Sequence, residues 1–200
     1  MSYICGIDEA GRGPLAGPVT AAALVLGPDT PEALLIDSKR LSPPRREEAA
    51  ETIRRTALYW GLGWADHQEI DRLNIHYAAL LAMSRAYASI ISTMRSQGLQ
   101  RIPISKVLVD GKFPPDLEGA PATEAVIGGD GTVPVIGGAS ILAKTARDAW
   151  MVAQEELYPG YGFRSHKGYP TAEHRRRIEL LGPSPIHRRS FRLVPSRSAS

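Results

Sequence analysis

Acidic residues close three short apolar segments of this 200-residue chain, each time beside glycine. The segments are ICGIDE, VLVDG and AVIGGD, and their carboxylates are those of Asp8, Glu9, Asp110 and Asp130. Aspartate is a poor strand residue, and the ends of strands in α/β sheets are where binding and catalytic groups gather. If these strands are neighbours in a sheet, several carboxylates converge on one site.

Converging carboxylates favour chemistry with a divalent metal. Like charges repel, so such a cluster cannot stay ionised without cations, and Mg²⁺ or Mn²⁺ prefers hard oxygen ligands of this kind. Two such ions about 4 Å apart can activate a water and stabilise the leaving oxygen in phosphodiester hydrolysis. The chain has no Cys/His spacing typical of zinc. Taken singly, each acid could equally be a turn-capping residue, but the shared context favours a metal site.

Asp8 and Glu9 are adjacent, and in a regular strand their side chains would point to opposite faces. For both to reach one site, the strand must end or bulge there. The sequence AGRGP that follows is rich in glycine and proline, which predicts that the strand ends at this point.

Hydrophobic patterns predict the elements that carry these acids. Strands are expected at 3–8, 19–26, 59–65, 106–109 and 123–127, and helices at 43–58, 74–96, 140–157 and 171–181. Strands come first, strands and helices then alternate, and helices end the chain. This order predicts an α/β fold with a mixed β-sheet flanked by helices. We expect a catalytic domain at 1–160 and a small basic helical region packed on it at 161–200.

The composition restricts the class of protein. A single cysteine excludes an internal disulfide, which indicates a cytoplasmic setting. No apolar run approaches the roughly 20 residues of a membrane span, and the N-terminus does not resemble a signal peptide. We therefore expect no contact with membranes.

The net charge of +3 is unevenly distributed. Residues 164–200 contain nine Arg or Lys against two Glu, a net of +7, which leaves −4 for the rest of the chain. An acidic body with a basic end suits an enzyme that holds metal with carboxylates and phosphates with arginines. A solvated helix face followed by an irregular tail would give the same charges, and charge alone does not separate the two.

Residues 8–19, DEAGRGPLAGPV, resemble the signature of prokaryotic ribonuclease HII. Further segments resemble that family in the same order, namely DSK at 37–39 with LS at 41–42, VDG at 109–111, SILAK at 140–144, RD at 147–148, YGF at 161–163, HKGYPT at 166–171 and HRRSF at 187–191. The resemblance covers nearly the whole chain. It implies an RNase H-like fold and a monomeric, Mn²⁺- or Mg²⁺-dependent endonuclease. Its substrates would be RNA–DNA hybrids and duplex DNA with embedded ribonucleotides, hydrolysed with two metal ions.

The resemblance also implies roles for the acidic residues. It makes Asp8, Glu9, Asp110 and Asp130 the catalytic metal ligands. The chain departs from the family pattern at Gly-Gly before Asp130 and at GGA in 137–139, so the fourth acid is the least well placed. Asp148 is the rival fourth ligand, although Arg147-Asp148 could instead be a structural ion pair.

Other residues are implied to bind substrate. Glycines in the GRG loop allow close backbone approach, and in the family this loop meets the ribonucleotide and its 2′-hydroxyl, the group that distinguishes RNA from DNA. The residues expected at the substrate are Gly11, Arg12, Gly13 and Tyr169, with Lys39, Lys144 and Lys167 as candidates for phosphate contacts. Three of the chain's five histidines, His76, His174 and His187, are interpreted as surface or capping residues.

Three alternatives are weighed against this interpretation. Ribonuclease HIII resembles the chain but carries an extra N-terminal domain, whereas the first acid here is residue 8. A non-catalytic hybrid-binding protein would not be expected to cluster negative charge. Another RNase H-like nuclease, such as a resolvase, would leave DEAGRG and HKGYPT unexplained. No partner motif stands out in 195–200, and a sliding-clamp partner is left open.

Overall fold

One mixed sheet organises the molecule. The structure is a computed structural model and describes residues 2–31, 35, 41–98 and 103–194. The strands are β1 (Tyr3–Ala10), β2 (Val19–Val25), β3 (Tyr59–Ala65), β4 (Ile104–Asp110) and β5 (Ala122–Val126). Their order is β3-β2-β1-β4-β5, with antiparallel pairing from β3 to β1 and parallel pairing from β1 to β5. The mixed sheet predicted from the sequence is confirmed.

Helices cover both faces of the sheet. They are α1 (Pro43–Thr56), α2 (His67–Ser96), α3 (Pro134–Leu157), α4 (Phe163–His166) and α5 (Ala172–Leu181). Side chains alternate along β2, so Ala21 and Ala23 face α2 while Ala22 and Leu24 face α1 and α3. Because both faces are covered, every residue of β2 is buried.

The longest helix begins earlier than expected and contains a break. Asp66 accepts a hydrogen bond from the Glu69 N–H, and the Glu69 carboxylate accepts one from the Asp66 N–H, which forms a capping box. At Asn74 the backbone leaves helical geometry with a φ of 66°. The Asn74 side chain then accepts from the N–H groups of His76 and Tyr77 and restarts the helix. The apolar pattern revealed only the second part.

Helix α3 also starts before the expected residue 140, and Gly137 and Gly138 lie inside it. A Cβ on Gly137 would lie 1.7 Å from the Leu35 carbonyl oxygen, and one on Gly6 in β1 would lie 2.5 Å from the Val135 carbonyl. The first turns of α3 therefore pack directly on β1, which brings the end of the sheet that carries the acids close to this helix.

The C-terminal region packs on the sheet domain through a small third core. Its buried members are Ala16, Met151, Tyr161, Phe163 and Ile186. Helix α5 agrees with the predicted helix at 171–181 and is capped at both ends, because Thr171 accepts from the His174 N–H and Gly182 follows with a φ of 75°. Among the described helices none combines the length and apolar character needed to cross a membrane.

Candidate active site

A cleft of about 330 Å³ opens where β1 and β4 end. It is lined by Asp8, Glu9, Ala10, Gly11, Arg12, Gly13, Arg46, Asp110, Asp130, Ser140, Lys144 and Tyr169. The cleft thus collects all four acids implied by the resemblance, together with most of the residues expected at the substrate.

The strand register explains how adjacent acids reach one cleft. Strand β1 continues to Ala10, still paired with β2, so it runs two residues beyond the expected 3–8 and ends where the glycine-rich loop begins, as predicted. Its parallel partner β4 stops earlier, with Ile7 opposite Val109 as the last pair. Asp8 and Glu9 therefore lie beyond the last residue pair that joins β1 to β4.

A short turn joins the other two acids. Asp130 lies in the 3₁₀ turn Gly129–Gly131 and is 9% exposed. The Gly129 N–H donates to the Asp110 carboxylate over 2.7 Å, which fixes this turn against the end of β4. Gly128 has a φ of 67°, a conformation that favours glycine. The departure from the family pattern at Gly128-Gly129 therefore suits the turn that presents Asp130.

Negative charge is concentrated at Asp8. Burial raises its pKa well above the usual range, and the charges of Glu9 and Asp110 raise it further. A hydrogen bond from the Ser140 side chain and one of 2.7 Å from the Glu9 N–H oppose the rise. Positive charge in the cleft would oppose this rise and favour the ionised carboxylate.

The donor set fits a hard divalent cation. Every candidate ligand is a carboxylate oxygen, the kind that Mg²⁺ and Mn²⁺ prefer. Glu9 meets Arg12 over 3.1 Å through one oxygen, while its other oxygen, Oε2, is buried and has no hydrogen-bond partner within the described residues. In the same part of the chain, no three Asp, Glu, His or Cys side chains are already grouped as a metal centre. The acids instead bind local N–H and guanidinium donors.

The two glycines of the GRG loop differ in their surroundings. Gly11 has a φ of 98°, and a Cβ there would lie 2.1 Å from the Arg147 Nε, so this position requires glycine for packing. A Cβ on Gly13 would meet only the Tyr169 ring, at an ordinary 3.8 Å. The structure of the protein alone gives no reason for glycine at residue 13, which suggests that the reason is a ligand in the cleft.

Tyr169 forms a partly exposed wall opposite Gly13. Its ring lies 5.3 Å from Lys144 Nζ, and Lys144 also pairs with Asp148 over 2.8 Å. Asp148 does not line the cleft. The predicted Arg147–Asp148 ion pair is wrong, because the Arg147 guanidinium binds backbone carbonyls instead.

Buried histidines hold the backbone of the tyrosine. The Ser184 N–H donates to His187 Nδ1, so His187 must donate through Nε2 to His174 Nε2, 3.1 Å away. His174 then donates through Nδ1 to the Tyr169 carbonyl over 2.9 Å. Both imidazoles are almost completely buried, so their interpretation as surface residues is wrong. Burial lowers the pKa of each to about 4, which keeps them neutral.

Two residues expected at the substrate lie elsewhere. Lys167 does not line the cleft, and its ammonium donates to the Arg164 carbonyl over 2.5 Å. Lys39 lies outside the described residues. Conversely, the sequence analysis did not single out Arg46 and Ser140 for the cleft. Ser140 opens the SILAK segment and could have been found there, whereas Arg46 lies in an ordinary charged helix with no distinguishing signal.

Comparison with known proteins places the chain in a family. Residues 5–194 match the Ribonuclease HII family. A ribonuclease HII from Halorhodospira halophila is 57% identical over 188 residues, which are 94% of this chain and 91% of the relative. The chain therefore belongs to the ribonuclease HII family, whose members are hydrolytic ribonucleases.

Solved structures share the fold. The ribonuclease HII in a complex with PCNA from Archaeoglobus fulgidus superimposes with a TM-score of 0.72 at 24% identity, covering 98% of each chain. Ribonuclease H2 from Pyrococcus horikoshii OT3 gives a TM-score of 0.70 at 24% identity, covering 96% of this chain and 94% of that one. At this identity the likeness concerns the fold alone, and it confirms the RNase H-like architecture.

Proposed function

We propose that this ribonuclease cuts the RNA strand of RNA–DNA hybrids and cuts duplex DNA at embedded ribonucleotides. The observation that carries the proposal is that one cleft contains both the acids and the GRG loop with its facing tyrosine. The first group suits hydrolysis of a phosphodiester, and the second suits recognition of the sugar beside it.

Asp8, Glu9, Asp110 and Asp130 would hold the divalent metal on which the family depends, in two sites filled by Mg²⁺ or Mn²⁺. When bound, such ions supply an activated water and neutralise charge on the leaving oxygen. The buried, unpartnered Glu9 Oε2 and the raised pKa of Asp8 support this role, since both are costly without a cation.

Recognition of the sugar falls to the opposite wall of the cleft. Gly13 leaves open the space in front of Tyr169, so a ribose can approach the loop backbone closely. Discriminating a single 2′-hydroxyl needs such an approach, because the group is small and its hydrogen bonds are short. Lys144 lies beside the ring and can meet a neighbouring phosphate.

The basic C-terminal region, which we place at 161–200, would add contacts to the duplex backbone. On α5, the exposed Arg176 and the partly exposed Arg177 both pair with Glu173, whereas Arg175 donates to the Arg192 and Leu193 carbonyls. We further propose a monomer that acts in the cytoplasm, in keeping with its single, buried cysteine.

The test is cleavage of a duplex with one ribonucleotide, compared with an RNA–DNA hybrid and an all-DNA duplex of the same sequence. Each is incubated without metal, with Mg²⁺ and with Mn²⁺. We expect metal-dependent cuts in the first two and none in the third. Cleavage without divalent metal, or equal cleavage of all-DNA duplex, would refute the proposal.

A further inference from the structure

The side of the cleft formed by the GRG loop at 11–13 and by Tyr169 is called the recognition wall. Two arginines outside the cleft are completely buried behind it, which is unusual because arginine is seldom buried without an ionic partner. Arg147 lies in α3, and Arg188 follows α5. Within the described part of the chain neither guanidinium has a carboxylate within 4 Å. Burial lowers the pKa of Arg147 to about 10 and that of Arg188 to about 9, so both stay charged at neutral pH.

The Arg188 guanidinium is saturated by carbonyl groups of the segment 11–18. Its nitrogens lie 2.7–3.1 Å from the carbonyl oxygens of Gly11, Arg12, Gly17 and Pro18. The planar fork of a guanidinium can satisfy several acceptors at fixed angles, which a lysine ammonium cannot do.

Arg147 joins the same segment to the loop that carries Tyr169. It donates to the carbonyls of Ala16 and Pro18 over 3.1 and 2.9 Å and to that of Lys167 over 3.0 Å. Lys167 has a φ of 53°, a conformation that non-glycine residues rarely adopt and that the surrounding contacts must hold. One side chain thus fixes both sides of the recognition wall relative to each other.

The direction of these bonds has a consequence for the cleft. In a trans peptide, the N–H of a residue points away from the C=O of the residue before it. Arg188 binds the carbonyls of Gly11 and Arg12, so the N–H groups of Arg12 and Gly13 point away from Arg188. A charged donor on each carbonyl also polarises the peptide and strengthens its N–H as a donor.

We propose that Arg188 and Arg147 are positioning residues for ribonucleotide discrimination, which hold the N–H groups of Arg12 and Gly13 ready to donate to an oxygen of the substrate sugar or its phosphate. This inference rests on the proposed function of the cleft. It assigns a purpose to two buried charges that the acid chemistry does not use.

The main test compares Arg188→Lys and Arg188→Met with the unaltered protein in single-turnover cleavage of a one-ribonucleotide duplex, well below the unfolding temperature of each. We expect the rate at saturating substrate to fall about 100-fold in both variants, because a displacement of the order of 1 Å can cost that much. Affinity for the matching all-DNA duplex should hardly change. Lysine should not rescue the rate, since the fork and not the charge alone is required.

Arg95→Met is the control, because Arg95 is an exposed arginine in the last turn of α2, outside both the cleft and the basic C-terminal region. It should leave the saturated rate unchanged. If the unaltered protein cuts and Arg188→Lys cuts equally fast at saturation, the positioning role is wrong while the proposed function stands. If the unaltered protein does not cut, the proposed function itself fails.

A second measurement does not depend on the folding of any variant. Amide hydrogen exchange of the unaltered protein is followed at Arg12 and Gly13 without metal, so that the duplex is bound but not cut. Both amides should gain protection with the one-ribonucleotide duplex and gain less with the DNA duplex. Absence of any gain at both positions would overturn the proposal.

Discussion

The two walls of the cleft differ in how complete they are before any ligand binds. On the recognition wall, two arginines donate six hydrogen bonds to the segment 11–18 and one to the Lys167 carbonyl. A histidine pair holds the Tyr169 carbonyl. The acid wall is the side of the cleft that carries Asp8, Glu9, Asp110 and Asp130. There Glu9 has a buried oxygen with no hydrogen-bond partner within the described residues, and Asp8 is buried close to the charges of Glu9 and Asp110. The carbonyl groups of the recognition wall thus have hydrogen-bond donors within the protein, whereas the acid wall has a carboxylate oxygen that lacks one.

The contrast shows which part of the site is built from protein alone. Shape recognition needs rigid donors that are in place before the substrate arrives. A metal site, in contrast, gains its affinity from charges that repel one another until the cation binds. Substitutions on the acid wall should therefore change metal dependence, and those on the recognition wall should change discrimination or stability.

The largest effect is expected at the acid wall. Asp110→Asn should lower single-turnover cleavage by about 1000-fold or more, because a metal ligand supplies several kcal/mol to the transition state. Calorimetric titration of the variant with Mn²⁺ should show weakened metal binding, while its circular dichroism stays unchanged. Asp116→Asn, an exposed acid on the loop after β4, is the control and should behave like the unaltered protein. Near-normal cleavage by Asp110→Asn in saturating Mg²⁺ would show that the metal assignment is wrong.

On the recognition wall, Tyr169→Ala should lower the single-turnover rate by about 10- to 100-fold, because the sugar loses its support and the scissile phosphate shifts. Metal affinity and binding of all-DNA duplex should be unchanged, which distinguishes this variant from Asp110→Asn. Equal loss of affinity for both duplexes would instead identify Tyr169 as a general contact surface.

The two glycines of the loop should separate packing from recognition. Gly11→Ala should destabilise the protein by about 1–3 kcal/mol, since it adds backbone strain and a clash with Arg147. Gly13→Ala should leave the unfolding temperature close to normal and slow cleavage of the ribonucleotide substrate. Thermal unfolding and single-turnover rates measured on both variants provide the test. The reverse pattern would mean that residue 13, not residue 11, is fixed by packing.

The smallest effect concerns acid stability of the recognition wall. His174 and His187 are neutral in the folded protein, with pKa values lowered to about 4, whereas an unfolded histidine titrates near about 6.5. Unfolding therefore takes up protons between these values, and the free energy of unfolding should decrease as the pH falls from about 6.5 to 4. His187→Gln should flatten this dependence, and the partly exposed His76→Gln should not. Urea unfolding at several pH values measures the slopes, and identical slopes in all three proteins would exclude the histidine pair as its source.

Elements with strong local signals were predictable. The bounds of β3 agree with the predicted strand, and α5 with its N-cap Thr171 agrees with the helix predicted at 171–181. The acids were found for the same reason, since Asp110 ends an apolar strand next to glycine. In these cases the sequence neighbours alone decide the conformation.

Features that depend on tertiary packing were missed. The predicted helix at 140–157 left out Gly137, although this residue lies in α3, where a Cβ would strike the Leu35 backbone. Arg147 was considered only as a possible ion-pair partner of Asp148, and Arg188 was counted only in the charge of residues 164–200. Their burial depends on carbonyl groups distant in the sequence, and no local pattern reveals such partners.

The hydrogen bond from Arg188 to the Gly11 carbonyl spans 177 residues of sequence. During synthesis, β1 and β2 emerge long before this arginine does, so the sheet can begin to form while its GRG loop still lacks an anchor. Closing a contact across nearly the whole chain is also among the slowest kinds of step in folding. A nascent chain could thus have Asp8 and Glu9 on a formed strand while the neighbouring GRG loop still lacks its anchor, because Arg188 is synthesised long after that loop.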